Sequence, residues 1–379
     1  MVAGPLTVVQ MLPELHVGGV ERGTLELGKY LVEHGHRSLV ISGGGRLVSQ
    51  LESEGSEHIL WSVGKKSPLT LRYIAKLRKL LLDRKVDILH LRSRMPAWVG
   101  YLAWKNLPEK SRPRCVTTFH GFYSVNRYSA VMAKGEKVIA VSQSVARHII
   151  QEYGVPADCI ALIYRGFDET QFDPAAVSSE DLQYWRDKWG LADAGKRVPV
   201  IMLPGRLTRL KGHDVFIRAL KNIADLDWLA VCVGDVESNP GYRQELQQLL
   251  YDLQLQDRVR FVGYCDNMPA AYLIADIVVS ATSITPEAFG RVAIEAQAME
   301  RPVIASALGG SRETVLPGKT GWLVEPGNTE SLAGALRESL SIPDLADNYG
   351  REGRKWVLEN FTTERMCKKT VSLYNEILP

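Results

Sequence analysis

The chain is poor in cysteine, and what it has is scattered. Cys115, Cys159, Cys232, Cys265 and Cys367 stand singly in 379 residues. Their odd number and the lack of any C-x-x-C spacing exclude a disulfide framework and a zinc site. Long apolar runs are missing too. None reaches 18 residues, so no membrane-crossing helix is expected. Met1 to Gln10 show no basic segment leading into an apolar core and a small-residue cleavage site, so no secretory signal is expected and a reducing cytoplasm fits. The glycines near the N-terminus do not spell G-x-G-x-x-G, which removes the dinucleotide fingerprint. Metal-ligand clusters are also scarce. Asp225-Leu226-Asp227 has D-x-D spacing but precedes an apolar run, on the wrong edge of a sheet for ligand binding, so no metal is expected.

What the chain does have is ordinary globular composition, 45% apolar and 23% charged, at a length that suits two domains. The net charge of +3 hides an asymmetry. Residues 1–170 carry 23 Lys and Arg against 15 Asp and Glu, whereas the remainder carries 23 against 28. The first half is therefore suited to an anionic surface or partner.

Short apolar runs alternate with helical patterns. Strands are predicted at Leu6–Met11, Ser38–Ile41, Asp87–Leu91, Val116–Phe119, Val138–Val141 and Ile160–Tyr164, with helices to about His34 and near 70–84, 95–106 and 143–153. The pattern weakens from Phe167 to Arg197, apart from a helix near 180–189, then restarts at Val198. Strands at Val200–Leu203, Leu229–Val233, Val259–Val262, Ile277–Ser280 and Val303–Ala305 then alternate with helices near 212–223, 241–254, 268–274, 290–299 and 329–341. The reading is α/β, with parallel sheets covered by helices. It gives a first domain over 1–170, a linker over 171–197 and a second domain over 198–360. A last helix from about Thr362 to Leu378, within 361–379, packs back on the first domain.

The loops after the strands hold the candidate chemistry. Glu287 and Glu295 lie eight positions apart in P-E-A-F-G-R-V-A-I-E-A. Within one helix they would point roughly 80° apart and lie about 12 Å from each other, too far for a paired-carboxylate glycosidase. Glu287 is therefore placed in a loop and Glu295 two turns into a helix, with the amides of 288–290 able to hold an anion. An ordinary capped helix with two surface acids accounts equally for the spacing. Gly205-Arg206 and Lys211-Gly212 put cations beside a helix start, a plausible phosphate clamp. Gly18-Gly19 admits close backbone approach or is only a tight turn. His120 follows a strand, where open sheets bind ligands, although a lone histidine is more often structural. Between Lys65 and Lys85 eight cations face only Asp83, with Leu71, Ile74, Leu77, Leu81 and Leu82 at helical spacing. This is either a basic helix lying on anionic lipid or a solvated helix packed on the sheet.

Taken together, these motifs resemble the family 4 glycosyltransferases over nearly the whole chain. The matching features are the E-x7-E pair Glu287 and Glu295, Gly205-Arg206 with Lys211-Gly212, Gly18-Gly19, His120 in F-H-G, and Gly309-Gly310 to Gly321. Ala288 stands where the family often has glycine.

The resemblance implies the GT-B fold, two Rossmann-like domains facing across a cleft. It also implies transfer of a sugar from a nucleotide donor with retention, without a metal and without a cofactor beyond the nucleotide-sugar. It gives Arg206 and Lys211 the donor diphosphate, Glu287 the sugar hydroxyls, and Glu295 the ribose. The amides of Phe289 and Gly290 would lie near sugar or phosphate, and Val262, Gly263 and Tyr264 near the base. Gly18, Gly19 and His120 would lie near the reacting sugar and acceptor. The first-domain text V-G-G-V-E-R-G-T-L-E and S-R-M-P-A-W is similar to that of bacterial lipopolysaccharide-core transferases. That similarity implies a glycolipid or lipopolysaccharide acceptor and a peripheral site on the cytoplasmic face of the inner membrane reached through residues 65–85, while a UDP-sugar donor is expected only because the family most often uses UDP. No nucleic-acid partner is expected. A nucleotide-sugar epimerase or hydrolase, and a non-catalytic sugar- or lipid-binding scaffold, are the competing readings.

Overall fold

The computed structural model describes residues 4–16, 18–191 and 197–379. They divide into two compact units, Met1–Arg165 with Thr363–Pro379, and Gly166–Thr362.

The first unit is built on seven parallel strands: β1 (Thr7–Met11), β2 (Arg37–Ser42), β3 (Glu57–Leu60), β4 (Ile88–Leu91), β5 (Arg114–Phe119), β6 (Lys137–Ala140) and β7 (Ile160–Leu162), in the order β3-β2-β1-β4-β5-β6-β7. β1 and β4 are buried along their whole length, because helices cover both faces of a parallel sheet. Helices α1 (Gly19–Glu33), α2 (Val48–Ser53), α3 (Tyr73–Asp83), α4 (Arg94–Lys105) and α5 (Gln143–Tyr153) supply that cover. Ser142 caps α5 by accepting from the Val145 amide at 3.1 Å.

The second unit repeats the class with β8 (Val200–Pro204), β9 (Leu229–Val233), β10 (Val259–Gly263), β11 (Ile277–Ser280), β12 (Val303–Ser306) and β13 (Gly321–Val324), ordered β10-β9-β8-β11-β12-β13. Its helices are α6 (Ser179–Lys188), α7 (His213–Lys221), α8 (Pro240–Asp252), α9 (Met268–Ile274), α10 (Arg291–Ala298), α11 (Ser311–Thr314), α12 (Thr329–Ser341) and α13 (Pro343–Asn360). The chain then re-enters the first unit as α14 (Thr363–Ile377). Met366, Cys367, Val371, Leu373 and Tyr374 of α14 share a core with Leu6, Val8, Leu27, Leu31, Ile88 and Val116. Fully burying each large apolar chain contributes about 1.5–3 kcal/mol.

Several expectations are corrected here. The weakly patterned segment 171–197 falls within the second unit. Its α6 is anchored by Trp185, and Trp189 just beyond it is also buried; 192–196 lie outside the described residues. Strands β3 and β13 were not foreseen. Both are short edge strands, and β3 (Glu-His-Ile-Leu) has no apolar run because one edge of it faces water. Helix α13 was also missed. A Cβ on its Gly350 would stand 2.1 Å from the Glu300 carbonyl oxygen, so glycine is what lets α13 pack there. The basic segment 65–85 begins as a short 3-10 turn, Pro68–Arg72, and becomes α-helical only at Tyr73.

Candidate active site

In each unit the strand order reverses at one point, between β1 and β4 in the first sheet and between β8 and β11 in the second. Loops leaving the carboxyl ends of the strands at such a reversal form the ligand crevice of open α/β sheets. Both reversals are lined by charged side chains.

In the second unit β8 leads into Gly205, whose amide donates to the Val233 carbonyl at 2.8 Å, and Leu207 is buried. Arg206 between them is exposed and has no ion pair among the described residues. The loop ends in the turn Arg209–Lys211, and Gly212 starts α7 in the left-handed region with φ 68°. A Cβ there would stand 1.9 Å from the Ala281 carbonyl oxygen, so only glycine permits the β8 loop to meet the β11 loop. That meeting brings Lys211 into an ion pair with Glu287, which also accepts from the Thr282 hydroxyl at 3.1 Å. The Lys211 and Glu287 side chains are 29% and 15% exposed. Glu287 is held through its backbone as well, its carbonyl accepting from the Gly310 amide at 2.9 Å.

Helix α10 begins at Arg291, with Gly290 as its left-handed N-cap and no side-chain cap. Glu295 is therefore its fifth residue, nearer the helix start than the two turns expected. Its carboxylate is clamped from both sides. Arg291 contacts Oε1 at 3.0 Å and the buried Tyr272 donates to Oε2 at 3.1 Å. Burial first, then the Glu295 charge, hold the Tyr272 phenol well above its ordinary value, so it remains a donor. Phe289 is buried against Phe361, ring centroids 5.5 Å apart, which leaves its backbone rather than its ring to the loop. Val262 and Gly263 close β10, and Tyr264 beyond them is 63% exposed. His213 is wholly buried behind Lys211, and burial, with the Lys211 charge adding to it, pushes its imidazole down to about 4. Asp225 of the D-x-D pattern is engaged by both guanidinium nitrogens of Arg337 at 2.7 Å.

In the first unit Gly18 and Gly19 open α1, again without a side-chain cap. The Arg165 guanidinium lies over this turn, within 2.3 Å of where a Cβ on Gly23 would stand. His120 follows β5, and both of its ring nitrogens are buried without a partner. Burial, then Arg165, Arg92 and His90, hold its pKa well below the ordinary histidine value. The structure thus gathers Lys211, Glu287, Gly290 and Glu295 in the second unit, with Arg206 exposed on the same β8 loop, and holds Gly18, Gly19 and His120 around Arg165 in the first.

Sequence reasoning did not find Thr282, Tyr272, Arg291 and His213 in the second unit, nor Gln10, His90, Arg92 and Arg165 in the first. Arg92 carried a usable signal, since it stands directly after a strand, as His120 does.

Comparison with known proteins places these features. The family described as glycosyl transferases group 1 matches residues 189–356, and glycosyltransferase family 4 matches residues 17–171. A crystal structure of a glycosyltransferase from Rickettsia africae ESF-5 is 38% identical with a TM-score of 0.91, covering 99% of each chain. N-acetyl-alpha-D-glucosaminyl L-malate synthase of Bacillus anthracis is 27% identical over 96% of this chain and 95% of its own. Anabaena HepE, solved in complex with UDP, shares the fold with a TM-score of 0.83 at 23% identity, covering 98% and 100% of the two chains.

Proposed function

We propose that this chain, which belongs to the family 4 glycosyltransferases and has their GT-B fold, moves a sugar from a UDP-sugar to a glycolipid of the lipopolysaccharide-core type, with retention and without a metal. The observation that carries the donor reading is the Lys211, Glu287 and Thr282 constellation at the β8/β11 reversal, with Glu295 clamped beside it.

The chemistry follows from those groups. Sugar transfer leaves a nucleoside diphosphate carrying the charge of the broken bond. Lys211 and the exposed Arg206 supply cations for that charge, a stabilisation worth about 3–4 kcal/mol per key donor. When a diphosphate takes Lys211, the Glu287 carboxylate is released to accept from sugar hydroxyls. The amides at Phe289 and Gly290, at an uncapped helix start, add donors for a phosphate or hydroxyl oxygen. Glu295 is held rigid with lone pairs left for the two ribose hydroxyls, and the open face of Tyr264 suits stacking by the base. Retention is read as departure and attack on the same face of the sugar, with His120 and the Gly18-Gly19 turn on the acceptor side.

The acceptor reading is supported by the cations of residues 65–85. Tyr73, Leu77 and Leu81 face the core, while Leu69 and Leu71 are 71% and 48% exposed among those cations. That surface suits the anionic leaflet on the cytoplasmic face of an inner membrane. A small anionic acceptor is the second reading, favoured by the relative whose name joins N-acetylglucosamine to L-malate.

The test is a panel of nucleotide-sugars screened by thermal shift, then turnover with glycolipid and with small acceptors. Stabilisation by UDP-sugars and retained anomeric configuration in the product support the reading. Hydrolysis of the donor with no acceptor product would assign a different reaction. Sedimentation with phosphatidylglycerol vesicles but not phosphatidylcholine vesicles supports the membrane site.

A further inference from the structure

Lys211, the cation that meets Glu287, projects from a turn that a second helix holds. The turn Arg209–Lys211 is a single 3-10 turn between Thr208 and the left-handed Gly212. The Lys211 amide donates to the Thr208 carbonyl at 3.0 Å and the Gly212 amide to the Arg209 carbonyl at 3.2 Å, while Thr208 adds no side-chain cap. So short a 3-10 turn has poor hydrogen-bond geometry and does little to fix itself. Its side chains go to different partners. Lys211 reaches the β11 loop, whereas Arg209, two residues earlier, reaches α8. The Arg209 Nη2 pairs with Glu245 Oε2 at 2.5 Å, and the guanidinium lies 4.9 Å from the centroid of the Tyr242 ring.

Tyr242 ties the same turn to α7. It is 3% exposed, and its hydroxyl donates at 3.1 Å to Asp214 Oδ1, in the first turn of α7. Burial, with the Asp214 charge adding to it, holds the phenol above its ordinary value, so it stays a donor. The buried His213 meets the same ring edge-on, centroids 6.4 Å apart. Asn239 fixes the start of α8 by accepting from the Tyr242 amide at 3.3 Å. Lys211 is thus flanked in the chain by Arg209 and Asp214, and both rest on Tyr242. The Arg209 and Glu245 side chains are 61% and 55% exposed, where an ion pair or a cation–π contact adds little to stability. What these contacts supply is direction, beside the cation that faces the donor.

We propose that Arg209, held by Glu245 and Tyr242, is a positioning residue that aims Lys211 at the departing diphosphate. The inference rests on the transferase reading and deepens it. When the diphosphate takes Lys211, the ion pair with Glu287 is given up, whereas the contacts of Arg209 involve other groups and persist. The ammonium then turns on a fixed base, and a misplacement of about 1 Å in a catalytic group can cost about 100-fold in rate. Direct contact between Arg209 and the phosphates is the competing role, and the experiment separates the two.

UDP, ADP and GDP are titrated calorimetrically into the unsubstituted chain, and the one bound tightest is carried through the variants. Arg209→Ala is expected to weaken its binding about fivefold and Glu245→Gln about threefold, with Arg209→Lys between Arg209→Ala and the parent, all at an unchanged urea midpoint. In the Lys211→Ala background Arg209→Ala changes binding by less than about twofold, since a residue that acts only through Lys211 has no effect once Lys211 is gone. An equal loss in both backgrounds, or tighter binding in Glu245→Gln, means that Arg209 touches the phosphates itself and overturns the positioning role. Unchanged binding in Arg209→Ala overturns it too. If Arg209→Ala lowers the urea midpoint, Glu245→Gln is read instead, with and without Lys211. Failure of the unsubstituted chain to bind any of the three nucleotides strikes the transferase reading and this inference with it, whereas binding that ignores Arg209 and Glu245 strikes the positioning role alone.

Discussion

The ion pair between Lys211 and Glu287 sets two functions against each other, and Glu287→Gln tests that opposition. In the free protein the ammonium is committed to the carboxylate and Thr282 braces the same oxygen. A diphosphate must draw Lys211 away before it gains the full charge. The Lys211 side chain is 29% exposed and that of Glu287 15%, so the pair lies between the surface case, about 0–1 kcal/mol, and the buried case, about 3–5 kcal/mol on breaking. Taking about 1 kcal/mol as the interaction surrendered when Lys211 turns to phosphate, its removal tightens UDP binding about fivefold. Turnover of the UDP-sugar falls at the same time, since the amide no longer offers a carboxylate to the sugar hydroxyls. Titration calorimetry of UDP into the parent chain, Glu287→Gln and Lys211→Ala measures the first effect, and initial rates measure the second. Weaker UDP binding in Glu287→Gln than in the parent refutes the argument, because it would mean that the carboxylate aids rather than opposes the phosphate.

Three further outcomes are expected. Tyr272→Phe removes the hydroxyl bound to Glu295 while keeping the ring, so donor KM rises about tenfold with kcat little changed; a hydrogen bond to a charged group is worth about 1.5–3 kcal/mol, and initial-rate kinetics report the split. Gly212→Ala puts a methyl 1.9 Å from the Ala281 carbonyl oxygen at φ 68°, so stability falls by about 3 kcal/mol or more, read by urea unfolding. His213, pushed down to about 4 in the fold from 6.5, binds its proton less readily folded than unfolded. Its contribution is complete above about pH 6.5 and is lost as pH falls towards 4, up to about 3 kcal/mol, so the urea midpoint drops between those values and drops less in His213→Gln.

The sequence was most informative where periodicity and position coincide. Val200–Pro204 is buried along its whole length and reads as a continuous apolar run, Thr7–Met11 is marked by its β-branched residues although it also buries Gln10, and the loops after them are where ligand residues fall. The spacing of Glu287 and Glu295 correctly implied a loop residue and a helix residue. It could not show that Lys211 closes on Glu287, since that pair depends on a loop crossing 76 positions away, made possible by Gly212. Arg92 and Gln10 lie 82 positions apart and meet only because β1 and β4 are neighbours in the sheet. The edge strand β3 lacks an apolar run because water reaches it, β13 is only four residues long, and α13 carries glycines that serve packing. Residue type located the chemistry along the chain, while the sheet order decided which distant groups would meet.

The return of α14 has a consequence for biosynthesis. Tyr374 closes over His90, hydrogen-bonded at 2.6 Å, and with Met366, Cys367 and Leu373 it completes the interior of a unit whose strands, ending at Leu162, all precede Thr363 in the chain by about two hundred residues or more. The second unit, Gly166–Thr362, is by contrast one continuous stretch of chain. The N-terminal half, although made first, has to wait for the final helix, so any chain cut short before Thr363 leaves His90 without its phenol and an apolar seam open to chaperones and proteases.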